Sequence, residues 1–156
     1  MAPRSTRPAA TAKKLIDVIT LDGARPTNEK EDSKKPYGRA ISYFPNGKHM
    51  IDGSTDKWAR RWDLQTGEEI VEARIVCKRE VWAVEVSRDS RWVVTGGGDL
   101  DHNNLGELKA CEVETGMMKT FEGHSAVLSC VDISVDNKLL ASASMDHTAR
   151  IWDLNV

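Results

Sequence analysis

From Ile41 onward, short runs in which apolar and polar residues alternate are cut by clusters of Gly, Asn, Asp and Ser. Three stretches carry one pattern: "ISYFPNGKHMIDGSTDKWARRWDLQTG", then "VEVSRDSRWVVTGGGDLDHNNLGELKACEVETG", then "VDISVDNKLLASASMDHTARIWDLNV". Each reads as an apolar strand, a turn marked by "PNG", "RDS" or "VDN", a second apolar strand, a turn around an aspartate, and a third strand. Superposed, they bring Asp56, Asp99 and Asp146 to the same point, 43 and 47 residues apart. Alternation with a period of two, broken by frequent turns, predicts an all-β chain with no room for crossover helices. The repeat is close to the roughly 40–45 residues of one four-stranded unit in a repeat architecture.

Outside the repeats the chain is polar. The first 14 residues, "MAPRSTRPAATAKK", hold four basic residues, no acidic one and two prolines, a composition that cannot bury a core and predicts a disordered tail over 1–14. Such a start also fits an organellar transit peptide, against which its lack of amphipathic periodicity counts. Residues 24–36, "ARPTNEKEDSKKP", mix both charge signs and read as a solvated loop. Between these segments lies "DVITLDG", Asp17 to Gly23, which matches "MKTFEG", Met118 to Gly123. The organisation read from the sequence is therefore a repeat segment over 15–156. It comprises a candidate outer strand at 15–23, the loop at 24–36, and sheet units at 37–76, 77–123 and 124–156, the last lacking its own outer strand.

Composition narrows the function classes. With 40% apolar and 29% charged residues, the 156-residue chain has the balance of a globular domain, and a formal charge of -2 creates no field that gathers nucleic acid or an anionic membrane. No apolar run reaches membrane-spanning length, and the N-terminus lacks the apolar block of a secretory signal, so a cytoplasmic location is expected, with the nucleus as the alternative. Cys77, Cys111 and Cys130 are odd in number and show no CxxC spacing. They read as small buried hydrophobes rather than disulfide or zinc ligands.

"EGHSAVLSCVDISVDNKLLASASMDHTARIWD" resembles a complete WD-repeat signature, with Gly123-His124 and Trp152-Asp153 in the pair positions. "STDKWARRWDLQTG" is similar to the second half of another. The resemblance covers about residues 37–156 and implies an all-β propeller segment of about three four-stranded blades, an open arc unless another chain completes it. It further implies a hydrogen-bonded chain through His124, Ser142, Asp146 and Trp152. The residue types suit this: the carboxylate accepts from the imidazole, the imidazole from the hydroxyl, and the hydroxyl from the indole N–H. The other units keep remnants. The middle one has Cys77 at the histidine position and Cys111 at the tryptophan position, retaining Thr95 and Asp99. The first retains Asp56 and Trp62, has Asp52 in place of the hydroxyl, and offers Lys34 as a substitute for the histidine. On this basis the last blade is expected to be the most rigid.

Catalysis has little support. His49, His102, His124 and His147 lie at strand or turn positions with no nucleophile constellation beside them. "DLDHNNLGELKA" imitates a calcium loop but carries Asn104 at its sixth position and Ala110 at its twelfth, where Gly and Glu are required. It reads as a lengthened aspartate turn. "GGGD", Gly96 to Asp99, lacks the lysine and helix start of a phosphate loop and suits close sheet packing instead. Neither a cofactor nor a metal is expected.

What the resemblance implies is a non-catalytic scaffold for protein–protein interaction. Its partners dock on the rim carrying the aspartate turns, here Arg79, Trp82, His102, Asn104 and Met145. Trp82 equally suits the junction between blades, as Trp58 and Trp92 do, while Arg60 and Arg61 are expected to include one solvated charge. An open arc leaves two apolar faces. A homodimer formed by exchange of the outer strand would cover them; the alternative is a truncated fragment of a longer WD-repeat signalling protein with no independent binding role.

Overall fold

The computed structural model describes residues 37–100 and 105–155. These form β1 (Gly38–Tyr43), β2 (His49–Ser54), β3 (Trp58–Asp63), β4 (Ile75–Val76), β5 (Val81–Val86), β6 (Trp92–Gly98), β7 (Gly106–Glu112), β8 (Met118–Thr120), β9 (Leu128–Ile133), β10 (Leu139–Ser144) and β11 (Ala149–Asp153). They pair in chain order as antiparallel sheets: β1 to β4 in the first, β5 to β8 in the second, β9 to β11 in the third. The all-β reading holds, and no sheet closes on itself. The tail at 1–14, the candidate strand at 15–23, the loop at 24–36 with Lys34, and the rim residues His102 and Asn104 lie outside the described residues.

Local chemistry makes the first hairpin of each sheet. Gly47, Ser90 and Asn137 occupy its turn at φ of 65°, 62° and 58°. The left-handed backbone costs glycine least and asparagine little. One residue earlier in the first and third turns, and also in the second, Asn46, Asp89 and Asp136 turn their Oδ1 atoms back to accept from the N–H of Lys48, Arg91 and Lys138 at 2.9, 3.0 and 3.2 Å.

Register then decides which residues share a face. Paired residues of the inner three strands form the rows Tyr43–Met50–Trp62, Val86–Val93–Cys111 and Ile133–Leu140–Trp152. In the second and third sheets this face meets the preceding sheet, so it is called the leading face. The opposite, trailing face carries Ser42–Ile51–Arg61, Glu85–Val94–Ala110 and Asp132–Ala141–Ile151. Two cores result. Ile51, Ala59 and Phe44 pack on Val84, Val86 and Val93, and Trp92, Val94, Leu108 and Ala110 pack on Val131, Ile133, Leu140 and Leu154. Glycines set the spacing. A Cβ on Gly53 would stand 2.9 Å from Val84 Cγ1, and one on Gly96 would stand 2.9 Å from Val131 Cγ1.

Burial revises two expectations. Cys130 is exposed rather than buried, because its row, Cys130–Ala143–Ala149, lies on the trailing face of the third sheet, against which no sheet packs among the described residues. Neither Arg60 nor Arg61 is the expected solvated charge. Arg60 is buried against Asp56, and Arg61 is half-buried with its guanidinium 4.2 Å from the Phe44 ring centre. On rigidity, burial favours the second sheet where the side-chain network favours the third. Every residue of β6 is buried between two neighbouring sheets, whereas β10 alternates buried and exposed positions. Native-state hydrogen exchange is therefore expected to be slowest at the amides of Val93 to Gly97 and faster across Leu139 to Ser144. The reverse ranking would mean that the side-chain network of the third sheet outweighs burial.

Candidate interaction rim

The turns after β2, β6 and β10 and the segments entering β5 and β9 meet at one rim, held by side chains from the second strand of each sheet. In the third sheet the anchoring is complete. Asp146 accepts from His124 Nδ1 at 2.7 Å, Ser142 Oγ lies 2.8 Å from His124 Nε2, and Trp152 Nε1 donates to the same hydroxyl at 2.8 Å. The carboxylate makes Nδ1 a donor, and the Ser142 hydroxyl partners the other ring nitrogen. Asp146 also accepts from the Thr148 hydroxyl at 2.6 Å and from the N–H groups of Thr148 and Ser125 at 2.9 and 3.1 Å. The Thr148 hydroxyl bond does most to hold its carboxyl well below the usual carboxylate range, against the opposing effect of burial.

The second sheet anchors its rim by other means. Cys77 Sγ reaches Thr95 Oγ1 at 3.7 Å, a weak bond, and burial pushes the Cys77 thiol up. Asp99 instead accepts from the Glu80 N–H at 3.1 Å and from Arg79 Nη1 at 3.3 Å. Glu107 Oε2 takes the N–H groups of Lys78 and Arg79 at 2.9 and 3.2 Å. By register Glu107 stands where the third sheet has Thr148, so a carboxylate entering from β7 takes over the N–H of Lys78, whose counterpart Ser125 is served by Asp146 in the third sheet. The signal was a lone acidic residue next to the turn, and it carried no motif.

In the first sheet Asp52 replaces the serine directly. Trp62 Nε1 donates to Asp52 Oδ1 at 3.2 Å, and the Arg60 N–H donates to the same atom at 3.3 Å. Burial pushes the Asp52 carboxyl up, opposed by the Trp62 bond and the Arg60 charge. Asp56 is engaged by the Arg60 guanidinium and accepts from the Trp58 N–H at 3.2 Å. The arginine continues into a chain of charges: Arg60 Nε lies 4.0 Å from Glu69 Oε1, and Glu69 binds Arg74.

On the rim itself, Trp82 is half-buried and belongs to neither core. Its Nε1 donates to Glu80 Oε2 at 3.2 Å, and the Arg39 guanidinium lies 3.9 Å from its ring centre. Arg39 also donates to the Tyr37 hydroxyl at 2.8 Å and approaches Glu80 at 3.7 Å. Tyr37 and Arg39 were missed because they precede the first recognisable turn; by register they stand where the second sheet has Glu80 and Trp82. Lys57 Nζ lies 4.0 Å from Asp99 Oδ2, so the aspartate turns of the first two sheets face each other. Met145 is exposed on the turn of the third sheet. Among the described residues no group of three or more His, Cys, Asp or Glu is placed to hold a metal, and no helix is long and apolar enough to cross a membrane.

Two measurements probe these anchors. Ser142→Ala removes the acceptor of a buried indole and a partner of His124, and is expected to cost about 1–3 kcal/mol in unfolding free energy. Thr95→Val, which loses only the thiol contact, should shift the denaturant midpoint much less. Asp52→Asn keeps an oxygen for Trp62 and removes a buried charge. Because the folded-state carboxyl is raised above its unfolded value near 3.8, its protonated form favours the fold at low pH, and that stability is lost as pH rises through the folded value. The variant is therefore expected to be more stable than the parent at pH 7, with the gain shrinking toward pH 3. A gain independent of pH would exclude the charge as its cause.

A family model described as "WD domain, G-beta repeat" matches residues 74–102 and 116–153. The chain is 27% identical over 120 residues to Protein groucho of Drosophila melanogaster, covering 76% of this chain and 16% of that protein. It is 31% identical over 125 residues to the Ribosome biogenesis protein WDR12 homolog of Drosophila mojavensis, with coverage of 71% and 29%. To Transducin-like enhancer protein 2 of Mus musculus it is 27% identical over 120 residues, with coverage of 76% and 15%. The chain thus spans less than a third of the length of each of these relatives. The repeated register, the His124-to-Trp152 geometry and these similarities converge, and the chain belongs to the WD-repeat family.

Proposed function

We propose that the chain is a non-catalytic scaffold that binds other proteins through the rim of aspartate turns. The observation that carries this reading is Trp82, an indole left out of both hydrophobic cores and stacked by Arg39 beside Arg79. Tryptophan and arginine are the side chains that most often dominate interface energies. Met145 extends the surface onto the third sheet. Charge on the rim alternates in sign: Lys57 and Arg79 stand beside Asp99, and Arg39 beside Glu80. That argues against the one-signed field by which nucleic acid or an anionic membrane is held. The reading needs no cofactor and suits the cytoplasm or the nucleus.

A second copy of the chain is also a partner in this reading. The activity in the name of the WDR12 homolog is not carried over, because the match covers 29% of that protein.

The test is quantitative capture of proteins from cells of the source organism by the parent chain and by Arg79→Ala/Trp82→Ala. Each truncation of an interface anchor costs more than about 1 kcal/mol, so the pair should lose its specific partners by roughly tenfold or more. The unfolding midpoint should fall only slightly, since neither residue lies in a core and the Arg79–Asp99 pair is partly exposed. Identical captured sets would overturn the rim assignment and favour the alternative, a truncated segment with no independent binding role.

A further inference from the structure

The first and second sheets do not fill the junction between them. Trp62 of β3 pairs with Glu69, and Ala59 pairs with Ile75; between these pairs β3 has Arg60 and Arg61, while the returning chain has residues 70–74. The surplus folds outward as a 3-10 turn, Val71–Ala73, whereas the outer strand of the second sheet pairs without interruption from Cys111–Met118 to Lys109–Thr120. The side chains differ as well. At the junction of the second and third sheets, Ala110 and Trp152 hold the positions that Arg61 and Cys111 hold here, and the indole packs on the buried core beside Phe121. With a thiol in place of that indole and the chain displaced from β3, a pocket of about 110 Å³ remains. Phe44, Ile51 and Arg61 line it from the first sheet, Val93 and Cys111 from the second, and Ala73 and Arg74 from the turn.

Arg61 brings a cation to this pocket. Its guanidinium lies 4.2 Å from the Phe44 ring centre, with Nη2 2.9 Å from His49 Nδ1. Among the described residues its Nε is buried without a hydrogen-bond partner, and no carboxylate forms an ion pair with it. Burial pulls the Arg61 guanidinium down from its ordinary value, as expected of a charge held without compensation. The other charged residues of the lining are Arg74 and Glu72, so the pocket is net positive. We propose that it is a docking site for a protein chain that ends in phenylalanine, the ring entering between the two sheets and the terminal carboxylate meeting Arg61. An apolar cavity of roughly 150 Å³ holds a benzene molecule, and this pocket, smaller but open to solvent on one side, takes a single ring. Because Arg61 lies over Phe44, itself a wall of the pocket, the seats for ring and carboxylate adjoin, and one terminal residue spans both. A carboxylate there gains a charge-assisted bond from a donor that is otherwise unmet. The pocket lies at the opposite end of the strands from the aspartate turns, so this site goes beyond the rim reading and stands apart from it.

The experiment follows the backbone amide shifts of the full chain by NMR during titration with N-acetylphenylalanine. Shifts confined to the amides around Ala73, Val93, Cys111 and Gly116 are expected, with a dissociation constant on the order of 1 mM for a ligand of that size. N-acetylphenylalaninamide lacks the carboxylate, and N-acetyl-aspartyl-phenylalaninamide carries it on the neighbouring residue; each should bind roughly tenfold more weakly. Arg61→Met should remove the preference for the terminal acid and leave the weak binding of the ring. Cys111→Trp fills the pocket from the second sheet and should abolish binding. Ala73→Phe, at a half-buried position of the turn, should do the same and serves where Cys111→Trp disturbs the circular dichroism spectrum. Equal binding of acid and amide, binding that persists in a folded filled variant, or shifts gathered around Trp82 would overturn the proposal, as would the absence of any shift at about 10 mM ligand. The rim reading is tested apart from it, since Arg79→Ala/Trp82→Ala should leave this titration unchanged.

Discussion

A sheet with two apolar faces must be covered on both, and this requirement organises the whole molecule. In most antiparallel sheets one face can stay wet, and side chains alternate apolar and polar along each strand. Here β6 is buried at every position, because the rows on both of its faces meet another sheet. Burial of that kind removes most of the apolar surface of the middle repeat from water, at about 25 cal/mol per Å². Among the described residues its two neighbours meet another sheet on one face.

That packing explains how the anchoring chemistry has diverged without loss of the architecture. In the third sheet a four-membered side-chain network holds the turn. In the second, Asp99 and Glu107 hold equivalent backbone groups without a histidine, and in the first a carboxylate receives the indole that a serine receives elsewhere. Each solution gives the turn's donors an acceptor, and the identity of the acceptor is free to change, although in the first sheet Arg60 Nε and Arg61 Nε stay buried without a hydrogen-bond partner. Asp52 illustrates the cost of the exchange: an ionisable acceptor in a place designed for a neutral one has its carboxyl pushed up by burial.

The rim inherits its character from these anchors. Backbone donors pinned by Asp99, Glu107 and Asp146 fix the segments that carry Arg79, Trp82 and Met145, so the surface is held by the same contacts that define the turns. Trp82 is half-buried, with the Arg39 guanidinium over its ring and its Nε1 bonded to Glu80, and it joins neither core.

Much of this was legible in the chain. Period-two alternation, turns at "PNG", "RDS" and "VDN", and three aspartates in step suffice for an all-β repeat, because strand direction and turn chemistry are local properties. His124, Ser142, Asp146 and Trp152 could be named together since a single hairpin repeat brings them close. Other features depended on contacts between repeats. The exposure of Cys130, Ile41 and Ile151 follows from which faces lack a neighbour among the described residues, and the chain spells those positions like their buried counterparts. Arg60 reads as a surface charge until Asp56 and Glu69 are brought around it from other segments. Glu107 and Arg39 gained their roles from register and stacking across strands. Local pattern is written in residue order, whereas cover and charge pairing are properties of the packed sheets, and only the tertiary structure decided them.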